Sequence, residues 1–288
     1  MAQRQAPQVN SISTFIDRIH QARPAQVVKI HETMVLDGES KYHHVNISTK
    51  THPRVEILHL TDLQYGHKSF QEKRFVEFRD WVLSNPNRFV VFGGDLIDAA
   101  TAISVQSCYE NNRAPDEQVM HLVEDLLMPL QARVLGYVGG NHERRTAKTW
   151  GDAGRVIATL LGIPYSRGVQ HVDIHYGRHA PFKLSLWHGG GSARTKGAKA
   201  QMLHRFMHQA DSQVYLVGHL HDVVVLFDWR QRRKPNGKIE LVKIAGAMSS
   251  SFLEYWGTFA EVSGMSATDT MMARIVLEPD GGWELTLR

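Results

Sequence analysis

A chain of 288 residues, 42% of them apolar and including six Trp and eleven Phe, is long enough to bury the core of one large α/β domain with additions. One cysteine, Cys108, excludes an intramolecular disulfide and fits a reducing compartment, and nothing near it marks it as an activated nucleophile. The net charge of +4 and pI near 9.1 tilt the chain weakly toward anionic partners. The first thirty residues are polar and broken by Pro7 and Pro24, so no signal-peptide core is read there. No apolar run approaches the roughly 18 residues of a membrane span, and the expected location is the cytoplasm.

Residues 1–54 read as an N-terminal extension, with 55–288 as the main domain. In the extension, a short amphipathic helix is expected from Ser11 or Ser13, with Phe15, Ile16 and Ile19 as its apolar face. Strand-like runs at 27–35 and 44–49 flank an Asp37-Gly38 turn signal. His43 and His44 are neighbours on a strand and must point to opposite faces, so they read as surface residues rather than ligands. From Val55 the pattern alternates: strand 55–60, helix 68–83, strand 89–92, helix 116–130, strand 134–138, helix 155–161. That is the sequence of βαβ units around a buried sheet. Beyond it come a hairpin (171–176 with 182–187), a helix (198–208) and a strand (214–217). A second hairpin then spans Asn236-Gly237, and a last strand pair, 273–277 and 283–287, brackets Asp280-Gly281-Gly282.

Five short segments each follow an apolar strand directly: Asp62-Leu63-Gln64, Gly94-Asp95-Leu96-Ile97-Asp98, Gly140-Asn141-His142-Glu143, Trp187-His188-Gly189 and Gly218-His219-Leu220-His221. The carboxyl ends of strands in an open α/β sheet converge on one crevice. The pattern therefore gathers aspartates, an asparagine and histidines at one sheet edge, although each taken alone is ordinarily a turn, cap or hydrogen-bonded structural residue. Two divalent ions about 3.5–4 Å apart need a bridging carboxylate with N and O ligands on either side, and they can hold an attacking hydroxide and the phosphoryl oxygens together.

This ordered set resembles the calcineurin-like metallophosphoesterases, whose pattern is D-x-H, G-D-x-x-D, G-N-H-[DE], a lone His, then G-H-x-H. The resemblance spans about 55–222. It implies a four-layer αββα sandwich of two mixed sheets, with a dinuclear metal site at the strand C-terminal edge. It also implies metal-dependent hydrolysis of phosphate esters. Carried over residue by residue, Asp62 would bind a first metal, Asp95 would bridge, and Asn141, His188 and His219 would hold the second. His221 would return to the first, His142 would protonate the leaving group, and Asp98 would orient His142.

One position departs from the pattern: Gln64 stands where the family has histidine. Its amide oxygen can still reach a metal, His67 can substitute, or water can close the site. That ligand set points to Mn²⁺ ahead of Zn²⁺, Fe or Mg²⁺. Arg144, Arg194 and Lys196 are the expected phosphate-binding cations, with Lys199 in the same basic loop, a solvated loop as the alternative for 194–199, and Arg145 the surface-facing member of its pair. Arg230, Arg232, Arg233, Lys234 and Lys238 around the Asn236-Gly237 turn read as a solvated hairpin tip, with a nucleic-acid contact as the alternative. Aromatics at 252–259 read as core. The expected activity is phosphodiester hydrolysis of DNA, RNA or nucleotides by a nuclease-like enzyme without membrane attachment. The alternatives are a phosphomonoesterase on nucleotides or phosphoproteins, and a catalytically weak metal-binding scaffold.

Overall fold

The computed structural model describes residues 12–101, 104, 108–149 and 151–288. The helix start expected at Ser11 and the Cys108 side chain lie outside what is described. In chain order the elements begin with α1 (Ile12–Ala22), β1 (Lys29–Leu36), β2 (Glu39–Ile47), β3 (Val55–Leu60), α2 (Glu72–Leu83) and β4 (Arg88–Phe92). Then come α3 (Pro115–His121), β5 (Val134–Val138), α4 (Asn141–Arg145), α5 (Ala153–Leu161), β6 (Tyr165–Ser166), β7 (Gln170–Tyr176) and β8 (Phe182–Trp187). The last part holds α6 (Lys196–Met207), β9 (Val214–Val217), β10 (Val224–Arg233), β11 (Ile239–Met248), β12 (Ala273–Leu277) and β13 (Trp283–Leu287).

The strands form two mixed sheets. One runs β1-β2-β7-β8-β9-β11-β10, the other β13-β12-β3-β4-β5-β6. β3, β4, β5 and β6 are parallel neighbours, while β12 returns antiparallel to β3. Every residue of β3 and β5 is buried, as expected of central strands covered on both faces. Side chains from both sheets, among them Ile57, Val91, Leu135, Ile174, Leu184 and Leu216, form the layer between them. The outer face of the six-stranded sheet carries Leu58, Val90 and Phe92 against α1, α2 and α5. α6 covers the other sheet with Leu203, Phe206 and Met207 packed on Tyr215, Val217 and Ile244. Two mixed sheets face to face with helices outside give the αββα order that the resemblance implies.

Local chemistry sets the element ends. Asp152 caps α5 by accepting from Gly154 N at 3.0 Å and Arg155 N at 3.3 Å, and Gly162 ends it in the left-handed conformation. The Asp37-Gly38 turn closes β1 on β2, both residues at positive φ, as a tight hairpin requires. β2 then runs parallel to β7, which carries the hairpin into the seven-stranded sheet.

Three expectations need correction. The helix anticipated at 68–83 begins only at Glu72, because the preceding segment makes isolated bridges from Tyr65 to Ile97 and His67 to Asn111. The helix anticipated at 116–130 is interrupted: α3 gives way to a π turn at Leu122–Leu127 and a 3₁₀ turn at Met128–Arg133. The wider turn buries Leu122, Val123, Leu126 and Leu127 together, and Pro129 has no N–H to continue the α ladder. His43 is not on the surface. It is fully buried, with Nε2 2.7 Å from Leu135 O, whereas His44 on the opposite face meets His175 at 2.9 Å.

Candidate metal centre

The five segments do meet at the carboxyl ends of β3, β4, β5, β8 and β9, and their backbones are laced together there. Asp62 N donates to Gly94 O and Gln64 N to Asp95 O, both at 2.9 Å. His219 N donates to Asp62 Oδ2 at 2.9 Å, and His142 N donates to Asp95 Oδ1 at 2.8 Å. These approaches require glycine at two points. A Cβ on Gly140 would lie 1.9 Å from Asp95 Oδ1, and one on Gly218 would lie 2.5 Å from Asp62 Oδ2.

Around Asp95, three donor atoms converge. His188 Nε2 lies 3.1 Å from Asp95 Oδ2 and 3.1 Å from Asn141 Oδ1, while His188 Nδ1 is fixed on Gly93 O at 2.7 Å. His219 stands beside them, its ring 5.1 Å from that of His188, and its Nε2 is 2.9 Å from Gly191 O. A ligand atom from each of Asp95, His188 and His219 falls within a 4.8 Å cluster. Around Asp62, Oδ1 lies 3.1 Å from His221 Nε2 yet has no hydrogen-bond partner of acceptable direction, although it is buried. The amide end of Gln64 is 3.1 Å from His221 Nε2 and 3.4 Å from His142 Nε2. A half turn of that amide presents its oxygen at the same place. His67 does not join: its Nε2 faces Glu110 at 3.4 Å and its Nδ1 accepts from Ser69 N.

His142 is buried and held from one side. Its Nδ1 lies 2.8 Å from Asp98 O and 3.0 Å from Asp98 Oδ1, and Asn111 donates to the other Asp98 oxygen. Its Nε2 lies 3.6 Å from Asp95 Oδ2. Burial alone would lower the His142 pKa, but the Asp95 charge and the Asp98 hydrogen bond outweigh it and hold it above the ordinary value. The same balance is stronger at His188, where burial opposes but Asp95, Asp62 and Glu143 push the imidazole up to about 10. Negative charge beside an imidazole favours its protonated form, which is the direction of that shift.

The donor set bears on whether divalent ions fit. The donors are carboxylate, amide and imidazole, a set suited to Mn²⁺ or Zn²⁺. Donor separations of 3.1 Å match neighbouring ligands on metal bonds of about 2.0–2.2 Å. A buried carboxylate oxygen without a hydrogen-bond partner faces the cluster from the Asp62 side. The residues fit divalent cations.

Several functional candidates fall elsewhere. Of the adjacent arginines, Arg144 is exposed and Arg145 turns inward, with Nη1 2.9 Å from Asp98 O and Nη2 2.9 Å from His142 Nε2. His142 and Arg145 are three apart on α4, which puts them on one face and Arg144 off it. Lys196 pairs with Asp222 and Val223 O, and Lys199 holds the other Asp222 oxygen at 2.7 Å. Arg194 is exposed on the loop between β8 and α6. At the hairpin, Arg230 and Arg232 pair with Asp211, and Lys234 pairs with Glu240. Phe252 is buried against Phe75 and Phe78, while Trp256 is exposed.

Sequence reasoning assigned no role to Glu143, although it quoted the residue. Its carboxylate accepts from Asp95 N, Leu96 N, Gly140 N and Tyr137 Oη, which joins the loops after β4 and β5. Asp222, next to His221, was also passed over. Its signal was an acidic residue following the last ligand segment, with lysines on the next helix to pair with it.

No family model matches this chain, and no curated protein matches it. Among solved structures, it is similar to a conserved protein of Streptococcus pneumoniae TIGR4 described as a predicted phosphoesterase. The identity is 14%, the match covers 82% of this chain and 98% of that one, and the TM-score is 0.35. It is also similar to Chaetomium thermophilum Vps29, at 10% identity over 81% and 94% of the two chains with a TM-score of 0.37. The nuclease MPE of Pseudomonas putida is 13% identical over 80% and 87%, with a TM-score of 0.34. Likeness at this level identifies neither activity nor substrate. No helix among the described residues is long and apolar enough to cross a membrane.

Proposed function

We propose that this chain is a metal-dependent phosphoesterase that hydrolyses phosphodiesters, with nucleic acid or nucleotides as its substrate class. One observation carries the reading: a buried histidine, His142, locked on Asp98, lies 3.6 Å from the Asp95 carboxylate, which also meets His188, itself 3.1 Å from Asn141 Oδ1. Asn141, His188 and His219 would hold one ion, and Asp62, Gln64 and His221 the other. Asp95 would be shared, and Mn²⁺ is the first candidate for this ligand set. Divalent ions there would neutralise charge on the phosphoryl group and activate the attacking oxygen. The centre lies within residues 55–288, which we assign as the hydrolase domain, with 1–54 as its extension.

The chain's own contribution is positioning and proton transfer. With Nδ1–H directed at Asp98, His142 presents Nε2 to the departing ester oxygen and gives up its proton there. Arg145 lies against the same imidazole, Nη1 3.0 Å from Nδ1 and Nη2 2.9 Å from Nε2, and its positive charge would favour the phosphoryl oxygens of a substrate bound there. The nucleic-acid assignment draws on the exposed face of the β10–β11 hairpin. Phe227 and Trp229 stand out of the sheet there, and Lys243 Nζ lies 4.7 Å over the Phe227 ring. Aromatic faces beside cations stack on bases without reading their order.

The test is hydrolysis of matched model diester and monoester substrates by metal-stripped protein, with Mn²⁺, Zn²⁺ and Mg²⁺ restored singly. Faster diester cleavage that is lost in His142→Ala and Asp95→Asn is the expected result. Dominant monoester cleavage would move the substrate to phosphomonoesters, and silence under every metal would refute catalysis.

A further inference from the structure

On the far side of α6 from the loop that carries His188, three side chains converge from two elements. His204 and His208 are one helical turn apart at the end of α6, and Asp228 projects from β10. His204 Nε2 lies 3.2 Å from Asp228 Oδ2, and His208 Nε2 lies 3.3 Å from that same oxygen. All three ligand atoms fall within 4.8 Å of one another. We propose that His204, His208 and Asp228 form a second, peripheral site for a divalent transition metal, Zn²⁺ foremost.

Geometry supports this first. Tetrahedral bonds of about 2.0–2.1 Å place neighbouring ligand atoms about 3.3–3.4 Å apart, and the two nitrogen–oxygen separations, 3.2 Å and 3.3 Å, come within about 0.1 Å of that edge. Residues four apart share a helix face, so the two imidazoles lie side by side, with ring centroids at 4.7 Å. Ligand chemistry supports it next. Two imidazoles and one carboxylate suit Zn²⁺, Co²⁺, Ni²⁺ or Cu²⁺, whereas Mg²⁺ and Ca²⁺ call for a shell of oxygens. The side chains keep between 37% and 53% of their exposure, so water has room to complete the shell. The competing arrangement is a plain ion pair, with both imidazoles donating to one carboxylate oxygen.

Position in the fold gives the site a use. At its start, α6 is fastened by Lys196 and Lys199 to Asp222, and β10 begins two residues beyond Asp222. An ion at His204, His208 and Asp228 would tie the same helix to the same strand at the other end. The helix follows the His188 loop and the strand follows the His219–His221 segment, so the tie would brace the frame of the central cluster. The proposal does not rest on the phosphoesterase reading, because it concerns binding alone.

The experiment compares wild-type chain with His208→Ala and Asp228→Asn, each dialysed against a small stoichiometric excess of Zn²⁺. Metal content is then measured by elemental analysis. Wild type should retain one equivalent more than either variant, with affinity at the missing site at least about tenfold lower in each. Zn²⁺ should also raise the melting temperature of wild type by more than that of either variant. Wild-type crystals soaked in Zn²⁺ should give an anomalous peak between the two Nε2 atoms and Oδ2, a result that depends on no variant. Equal zinc content in all three proteins would overturn the proposal. So would anomalous peaks confined to the Asp95 cluster, or a peak here only at millimolar Zn²⁺ as an adventitious ion.

Discussion

Replacing Glu143 with glutamine tests what holds the ligand loops in register. Oε2 of this carboxylate accepts from Asp95 N at 3.0 Å and Gly140 N at 2.9 Å, while Oε1 accepts from Leu96 N at 2.6 Å and Tyr137 Oη at 3.0 Å. Burial and the Asp95 charge push its pKa up, yet four donors surround it, and only an ionised carboxylate satisfies all four. An amide keeps one of the two acceptor oxygens. With its NH₂ toward Tyr137, that hydroxyl can reverse its role, but Leu96 N–H is left facing another N–H. The opposite orientation strands both Asp95 N–H and Gly140 N–H. The cheaper orientation loses one charge-assisted bond and leaves one buried donor unpaired, together about 2–4 kcal/mol. Urea unfolding followed by tryptophan fluorescence measures that loss, and Mn²⁺ binding should weaken with it because Asp95 loses its backbone anchor. Tyr137→Phe, which removes a single donor, should cost about 1 kcal/mol and leave Mn²⁺ binding intact. If Glu143→Gln stays within about 0.5 kcal/mol of wild type, the loops are held by something else.

Three other outcomes follow from the same geometry. Burial pushes the His43 imidazole down to about 4, below its unfolded value near 6.5, so the unfolded chain takes up the proton first and stability is lost as the pH drops from 6.5 toward 4. Between pH 7 and 4.5 the loss is roughly 2 kcal/mol, and the stability gap to His43→Asn should narrow by that amount; a pH-independent gap would sink the assignment. Arg145→Ala should slow diester turnover on the order of a hundredfold, with Arg144→Ala nearly silent, in steady-state assays with a model diester. Asp222→Ala leaves Lys199 buried without its counter-charge and should cost about 3 kcal/mol in chemical denaturation. The largely exposed Lys196 should cost under about 1 kcal/mol when changed to alanine.

The strands of the core were legible because each is a short run rich in apolar residues, and β5 and β9 stop at a glycine while β3 stops beside Asp62. β3, β5, β9, β12 and β13 fall where the runs do. The broken helix after Pro115 was not legible, since apolar residues at 122, 123, 126 and 127 satisfy an α pattern and a π turn alike. Nor does composition show which arginine of a pair turns inward; that depends on α4, a helix of five residues too short to announce itself by periodicity. Treating the residues after Gly140 as helical would have joined His142 to Arg145 by their spacing of three. The pairing of Lys196 was hidden for a related reason. A lysine beside a ligand loop looks like a phosphate contact until the buried Asp222 across the loop is seen to claim it. His43 carried no burial signal, because a polar side chain in the core is paid for by one backbone carbonyl, Leu135 O, ninety-two residues away.

The backbone itself sets these segments apart from the other strand ends. Seven described non-glycine residues have positive φ, and five of them are Asp62, Gln64, Asp95, His219 and His221. Such conformations cost on the order of 1 kcal/mol or more each outside glycine, and they persist only where surroundings over-determine them. The surroundings here are the ligand segments themselves: Gly94 O holds Asp62, Asp95 O holds Gln64, Glu143 holds Asp95, and Asp62 Oδ2 holds His219. Four of the five are therefore fixed by a neighbouring one of these segments, so the fold itself aims their side chains. Stability alone would favour glycine or asparagine at the ends of those strands. A chain that instead keeps aspartate, glutamine and histidine there accepts the strain for what their side chains reach.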